Sequence, residues 1–378
     1  MTDKIGIYIH VPFCLSKCHY CDFCSMPRAD GEMKQRYVDE LCREIDECCV
    51  RTVAPTGRHL VADTVYFGGG TPSLLSVGQF EQIMSAVDKN FGILDGAEIT
   101  AEVNPKTVDE RKLSDMRSLG INRLSIGMQS ANDNELRALG RIHGFDDFKK
   151  CFSDARAAGF DNISADLMYG IPEQTVESFR NSIKALCDLS PEHISSYCLT
   201  IEEGTNFYRR RERLALPDED TASDMYLEMS NILGNRGYNK YEISNFSRKG
   251  RESRHNLKYW LGEEYLGFGA GAHSYFDEIR RGNLPDIEGY IDGKPKIDEE
   301  TLECIDVDEK MREYVMLGMR LARGIDFSTF FARFGVEFLQ KFGDIKRFSP
   351  EYVTVDGNCC RFTERGMLVS NSVLSDIL

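Results

Sequence analysis

An α/β fold built on a parallel sheet, followed by a smaller C-terminal α+β domain, is what this sequence predicts. Three observations lead there. Over roughly the first 200 residues, six short apolar runs alternate with stretches of helical periodicity, which is the pattern of strand–helix units sharing a parallel sheet. Each residue with chemical potential falls at the C-terminal end of one of those runs, where β/α barrels place their chemistry. After that point the rhythm changes, and the chain closes with two helical stretches and a hairpin.

The elements follow in order. The apolar run 5–11 reads as a buried strand, and a cysteine loop succeeds it. Residues 34–53 have helical periodicity, with Tyr37, Leu41 and Ile45 on one face,. Residues 64–67 are a second strand, ending in Gly68-Gly69-Gly70, and a helix spans 77–91. The third strand, 98–103, stops at Asn104-Pro105; the helix 109–119 closes on Gly120,. The fourth strand is 123–128, followed by helical stretches at 134–139 and 145–158, the latter closed by Gly159. The fifth strand (162–168), a helix (176–189) and the sixth strand (193–199) complete the series.

Beyond it, 220–235 is helical, 238–243 reads as a strand, and 262–271 is glycine-rich. Lys294-Pro295-Lys296 and the acidic residues 298–300 read as a linker. An amphipathic helix at 308–323, a second at 327–334, and a hairpin from 352–357 and 361–363 suggest a winged-helix-like unit. The expected division is a barrel core at 1–235, a connecting segment at 236–300 and a C-terminal domain at 301–378.

Composition excludes several classes. A net charge of −15 over 378 residues argues against binding DNA or RNA, which needs a basic face, and disfavours adhesion to an anionic membrane. No apolar run approaches the roughly 18 residues of a membrane span. The N-terminus lacks the apolar core of a signal peptide,, so a cytoplasmic location is expected. Thirteen cysteines in a long cytosolic chain point to metal binding, catalysis or burial rather than disulfides. The pairs Cys48-Cys49 and Cys359-Cys360 have no ligand spacing; with the isolated Cys42, Cys151, Cys187, Cys198 and Cys304 they read as reduced structural thiols.

Cys14, Cys18 and Cys21 differ, because three and two residues separate them in a tight loop after the first strand. Such a loop can aim three sulfurs at one centre. Iron–sulfur clusters are held by thiolates, usually four. Three would leave one iron of a four-iron cluster open to S-adenosylmethionine (SAM), a cofactor of radical chemistry. A zinc knot is the rival reading, but it pairs two short Cys/His steps far apart, and no second pair is visible. Cys24 is near enough to be a fourth ligand, at the cost of crowding the open iron.

SAM presents a carboxylate, an ammonium and a ribose diol, which want a cation, oxygen acceptors, and carboxylates or amides. Gly69, Gly70 and Thr71 follow the second strand, where the backbone can come close to a ligand; the Lys-Ser/Thr of a phosphate loop is missing. Glu102 ends an otherwise apolar strand, and Asp166 sits similarly within the fifth; buried carboxylates are costly without a partner. Gln129 ends the fourth strand. Arg141 is a lone cation in Leu139-Gly-Arg-Ile-His143, of interest only if a barrel brings it to the strand ends.

Together, Tyr-Ile-His-Val-Pro-Phe-Cys with CxxxCxxC, Gly-Gly-Gly-Thr-Pro, Glu-Val-Asn-Pro, Arg-Leu-Ser-Ile-Gly-Met-Gln-Ser and Asp-Leu-Met-Tyr-Gly-Ile-Pro resemble the radical SAM superfamily. More narrowly they resemble the branch of the oxygen-independent coproporphyrinogen III oxidases and the heme chaperones related to them. The resemblance implies a partial (βα)6 barrel with a smaller C-terminal domain, and a 4Fe-4S cluster on Cys14, Cys18 and Cys21. It implies SAM contacts at Tyr8, Tyr20, Gly69, Gly70, Thr71, Glu102, Gln129, Arg141 and Asp166.

Three features tilt the resemblance toward the chaperones. The cluster motif begins at residue 14, leaving no room for the oxidases' N-terminal extension. The oxidase pattern CxxxCxxCxC has Phe23 at its last position here, although Cys24 departs from the chaperone pattern too. Finally, His255-Asn256-Leu257-Lys258-Tyr259-Trp260 matches the chaperones' HNxxYW heme motif and holds the chain's one Trp. Histidine is a common axial ligand of heme iron, so His255, Tyr259 and Trp260 are heme-binding candidates. His273, within Gly269-Ala-Gly-Ala-His-Ser-Tyr275, is a second candidate ligand; that stretch mimics a dinucleotide loop but lacks the strand–helix context.

The expected function is a chaperone that binds heme and transfers it to an acceptor hemoprotein, which the resemblance suggests is bacterioferritin or a respiratory enzyme, with homodimerisation as a further expectation. The alternative is the oxidase reaction, radical SAM decarboxylation of coproporphyrinogen III to protoporphyrinogen IX. Whether the protein is an enzyme therefore stays open at this level.

Overall fold

A computed structural model describes residues 3–378. Six parallel strands form its centre: β1 (Asp3–Val11), β2 (Leu60–Gly69), β3 (Ile93–Val103), β4 (Arg123–Gln129), β5 (Ile163–Tyr169) and β6 (His193–Cys198). They are neighbours in chain order. The crossovers carry α1 (Gly31–Cys48), α2 (Val77–Phe91), α3 (Glu110–Ser118), α4 (Asp133–Ala138), α5 (Phe145–Ala157) and α6 (Val176–Asp188). This is the expected partial (βα)6 barrel. Asp30, Ser76, Asp109, Asn132 and Thr175 each accept a backbone N–H in the first turn of their helix, which sets where those helices begin.

Side chains on a strand alternate between faces, and here the two faces differ in kind. Ile5, Ile7 and Ile9, then Val65 and Phe67, then Leu124, Ile126 and Met128 are fully buried in one hydrophobic core with helix residues such as Leu41, Phe80 and Phe148. The intervening residues are polar, aromatic or glycine and turn into the barrel. Register aligns them across strands: Tyr8 with Tyr66, Glu102 with Ser125, Gly127 with Asp166, Asp166 with Ser195.

The sheet continues past both sides of the barrel. After α7 (Glu219–Asn235), β7 (Asn239–Lys240) and β8 (Asn245–Ser247) add antiparallel beyond β6. Then comes α8 (Arg254–Trp260). The glycine-rich stretch supplies β9 (Tyr265–Phe268), parallel to the free side of β1, and β10 (His273–Phe276), β11 (Ile279–Asn283) and β12 (Ile297–Cys304) follow antiparallel, making twelve strands. Two expectations are corrected. The strand at 238–243 shrinks to two residues, after which Glu242 bridges Leu321 in the C-terminal domain. The acidic linker is instead part of β12: its backbone pairs with β11 while its side chains stay mostly exposed, so its charge costs little on that edge.

The C-terminal domain has the helix–helix–hairpin order: α9 (Val307–Gly318), shorter than expected, then α10 (Phe327–Phe334), and a three-stranded sheet from Ile325–Asp326, Val353–Val355 and Cys359–Phe362. Phe330, Phe338 and Phe342 fill its core. It is tied to the barrel by Ala322 N–H donating to the Tyr241 carbonyl at 3.0 Å. Arg333 donates to the carbonyls of Leu261 and Gly262, each at 2.9 Å, and Arg280 pairs bidentately with Glu313 at 2.7 Å. No helix among the described residues is long and apolar enough to cross a membrane.

Glu242 lies fully buried at this seam. Ser244 N–H donates to Oε2 at 2.8 Å, while Oε1 has no partner. Burial pushes the carboxyl up to about 7,. The native state then keeps a proton that the unfolded chain releases near 4.5. Stability therefore falls as pH rises from 4.5 to about 7 and levels off above it,. Glu242→Gln is expected to flatten that slope and to add about 2 kcal/mol on the alkaline side. Thermal unfolding across this pH range tests it, and an unchanged slope in the variant refutes it.

Candidate functional site

Val11, Gly69, Val103 and Gln129 end or nearly end their strands on the same side of the barrel, and a cavity of about 380 Å³ opens there. The cysteine loop covers it. The loop is closed at its base by backbone bonds: Met26 N–H to the Pro12 carbonyl at 2.6 Å and Arg28 N–H to the Cys14 carbonyl at 2.9 Å. Midway, His19 N–H donates to the Leu139 carbonyl at 3.0 Å. Cys14, Cys18 and Cys21 all line the cavity. Thr71 Oγ1 donates to Cys14 Sγ at 3.7 Å, and Arg141 Nη1 to Cys18 Sγ at 3.6 Å. Burial pushes the Cys14 thiol up and the Cys21 thiol to about 11.

Of the cofactor candidates, Tyr20, Gly69, Gly70, Thr71, Glu102, Gln129, Arg141 and Asp166 line the same cavity. Tyr8 does not. It lies one layer below, its hydroxyl 3.0 Å from His10 Nδ1, and His10 Nε2 in turn is 3.0 Å from the Cys24 carbonyl. Glu102 accepts from Tyr66 Oη at 3.0 Å and from Gly69 N–H at 3.2 Å. Burial first, and then the nearby Asp166, push its carboxyl up to about 8,. Asp166 accepts from Ser125 Oγ at 3.0 Å and is also raised, chiefly by burial. Gln129 has a positive φ of 65° and accepts from Tyr197 Oη at 3.2 Å. Arg141 Nη2 donates to the Gly127 carbonyl at 3.2 Å, passing where Gly127 has no side chain to block it.

Three buried polar atoms on the cavity wall have no partner: Ser25 Oγ, Asn104 Oδ1 and Arg141 Nε. Unsatisfied groups of this kind are costly, and a polar ligand repays them. Among the described residues no three His, Cys, Asp or Glu side chains converge on a single metal ion. Thiolates that each take a different iron of one cluster need no such convergence. The three thiols of the cysteine loop, with the Arg141 guanidinium and the Glu102 and Asp166 carboxylates among the groups on the wall, fit a cluster with a zwitterionic ligand against it.

Several wall residues were not picked out from sequence: Ser25, Asn104, Ser125, Tyr197 and Cys198. For Ser125 and Tyr197 the signal was available, since they share strand faces with Gln129 and with His193. Cys198, expected to be structural, is exposed on the cavity wall. Cys24 turns the other way, its Sγ 3.5 Å from the Pro285 carbonyl.

The HNxxYW stretch is the helix α8, and it packs toward the N-terminal ends of the strands, away from the cysteines. Glu98 on β3 accepts from the backbone N–H groups of Arg254 and His255, both at 3.0 Å. Lys258 pairs with Asp63 on β2 at 2.9 Å. The His255 ring is buried inside the barrel, with Nδ1 2.8 Å from Thr64 Oγ1 and Nε2 2.8 Å from Tyr259 Oη. Trp260 ends the helix half-buried. His273 is exposed on β10.

Comparison with known proteins adds to this geometry. A family model described as the radical SAM superfamily matches residues 8–186, and one described as the HemN C-terminal domain matches 305–369. The chain is 34% identical to the heme chaperone HemW of Bacillus subtilis (strain 168) across 98% of both chains. It is 33% identical to that of Escherichia coli (strain K12), across 98% of this chain and 97% of the relative. Among solved structures, coproporphyrinogen III oxidase (HemN) from Escherichia coli, a radical SAM enzyme, aligns with a TM-score of 0.83 at 24% identity, over 99% of this chain and 90% of that one. At that identity the likeness is one of fold.

Proposed function

The chain belongs to the radical SAM superfamily, in the family of the HemW heme chaperones, and from that premise we propose that it binds heme and hands it to an acceptor hemoprotein. The full-length likeness to those chaperones is the observation that carries this reading. The superfamily implies a 4Fe-4S cluster and SAM, which together supply one-electron chemistry when bound. We assign Cys14, Cys18 and Cys21 as the cluster's thiolates, leaving the fourth iron for SAM. Arg141 is the cation for the SAM carboxylate. Glu102, Asp166 and Gln129 are acceptors for its ammonium and ribose, and the backbone of Gly69 to Thr71 borders it, with Tyr20 beside them and Tyr8 behind.

Heme contact is assigned to His255, Tyr259 and Trp260. As packed, Thr64 and Tyr259 hold both ring nitrogens of His255, so iron ligation there requires α8 to loosen from the barrel. We take the protein to be cytoplasmic, with bacterioferritin or a respiratory enzyme as acceptor and a homodimer as the working state. The division at residues 235 and 300 is kept as the domain scheme, with β12 crossing the second boundary.

The oxidase reaction is the second reading, favoured by the fold of HemN. Anaerobic protein with a cluster verified by EPR, given SAM, a reductant and coproporphyrinogen III, separates the two. We expect no decarboxylated product by mass spectrometry, together with heme uptake seen as a shifted Soret band and its delivery to an apo-hemoprotein. Product at multiple turnovers overturns the chaperone reading. His255→Ala is expected to lose the Soret shift; an unchanged spectrum moves the ligand elsewhere.

A further inference from the structure

A column of rings runs through the barrel from α8 to the cavity. The His255 ring stacks on Tyr66, centroids 5.2 Å apart and planes 26° apart. Tyr8 flanks both, at 6.2 Å from Tyr66 and 6.4 Å from His255. Tyr66 Oη then donates to Glu102 Oε1 at 3.0 Å. The packing at the top of the column is tight. A Cβ on Gly68 would stand 2.9 Å from the Tyr66 ring, 3.0 Å from Tyr8 and 3.2 Å from Glu102 Oε1.

We propose that His255 is a positioning residue for Glu102, acting through Tyr66, so that the HNxxYW helix sets the geometry of the cofactor cavity from the opposite end of the barrel. The inference rests on the reading of Glu102 as a SAM contact. The His255 ring is clamped on both nitrogens, and its backbone N–H is held by Glu98. A clamped ring face is a fixed surface for Tyr66 to lie on. Glu102 takes one bond from Tyr66 and one from the Gly69 backbone; of the two donors, the tyrosine is the one whose orientation depends on a neighbouring side chain.

The consequence can be read in the pH dependence of SAM binding. Glu102 is held up to about 8, and it faces Asp166, which raises it, and Tyr66 and Arg123, which lower it; the phenols of Tyr8, Tyr197 and Tyr259 are near as well. SAM, with its ammonium and diol, is expected to bind better as the carboxyl ionises through that value. Removing the Tyr66 donor should push the midpoint upward, because the bond favours the ionised form,.

The test is SAM affinity by anaerobic equilibrium dialysis on the full-length, cluster-reconstituted protein, across pH on both sides of about 8. Tyr66→Phe is expected to weaken SAM about tenfold near neutrality, the scale of a hydrogen bond to a charged group, and to raise the midpoint. His255→Ala is expected to move affinity and midpoint in the same direction, and His255→Phe, which restores a ring face but neither clamp, to bring them only part of the way back. His255→Ala protein with full iron content and an unmoved midpoint overturns the proposal. If that variant does not fold, Thr64→Val decides. It removes the clamp on Nδ1 and so lets the ring face turn against Tyr66, and an unmoved midpoint there overturns the proposal equally. Glu102→Gln separates the premise: if it binds SAM as wild type does, the assignment of Glu102 fails, whatever His255 does.

Discussion

Cys18→Ala protein, reconstituted anaerobically with iron and sulfide, is expected to hold almost no iron and to bind no SAM. A four-iron cluster is normally held by four thiolates; the cysteine loop brings three to this cavity, and the variant leaves two. Cys24 is badly placed to substitute. It does not line the cavity, and its sulfur faces the Pro285 carbonyl. Cys198 does line the cavity, but from the end of β6 rather than from the cysteine loop. The fold should not suffer, since the loop is closed by backbone bonds at Pro12, Cys14 and Leu139 that do not involve the Cys18 side chain. Apo stability is therefore expected to stay within about 0.5 kcal/mol of wild type. Iron assay, EPR and SAM dialysis measure the outcome. Full iron content with an unaltered cluster signal would sink the ligand assignment.

Much of this site was legible because barrel geometry turns chain order into space. Glu102, Gln129 and Asp166 lie far apart in sequence, yet Glu102 and Gln129 mark the C-terminal ends of parallel strands, Asp166 lies three residues short of the end of its own, and parallel strands end on one side. Glu102 also stood out against an apolar run, and a carboxylate in that position needs a partner. The quieter members of the same faces were harder. Ser125 and Tyr197 carry no charge, so nothing but the two-residue period points to them. Arg123 starts β4 and is fully buried. On sequence it reads as a charge at a strand boundary, because burial of its stem depends on strands that arrive later in the chain.

The connecting segment was less legible, for a different reason. β9 and β12 are edge additions whose pairing is made by backbone groups, which side-chain patterns report weakly. In β12, Ile297 and Leu302 are separated by four residues of mostly acidic character, which looks like linker composition. A motif also says nothing of which end of a barrel it will occupy. HNxxYW resembles a binding site by residue type, and the structure turns its histidine inward, between Thr64 and Tyr259.

Gly70→Ala should abolish cluster and SAM binding without touching a ligand. The added Cβ would stand 2.7 Å from the Phe13 carbonyl oxygen and 3.0 Å from Pro12 C and Val11 O. All three are backbone atoms of the segment that leads into the cysteine loop, so no flexible side chain can give way. Gly70 N–H also donates to the Val11 carbonyl at 2.9 Å, so the end of β2 cannot back off without losing that bond. Relief must come from moving the base of the cysteine loop, and with it Cys14. The strain should cost about 1–3 kcal/mol, and displaced thiols should leave iron content near background. Gly78→Ala gives the contrast. It sits in the first turn of α2 with nothing within 4 Å of the new methyl, so the same chemical change should leave iron content intact and stabilise by up to about 1 kcal/mol. Thermal unfolding and iron assay on the pair decide the matter. Normal iron in the Gly70→Ala protein would mean that the strand end and the cysteine loop are not locked together as the backbone contacts require.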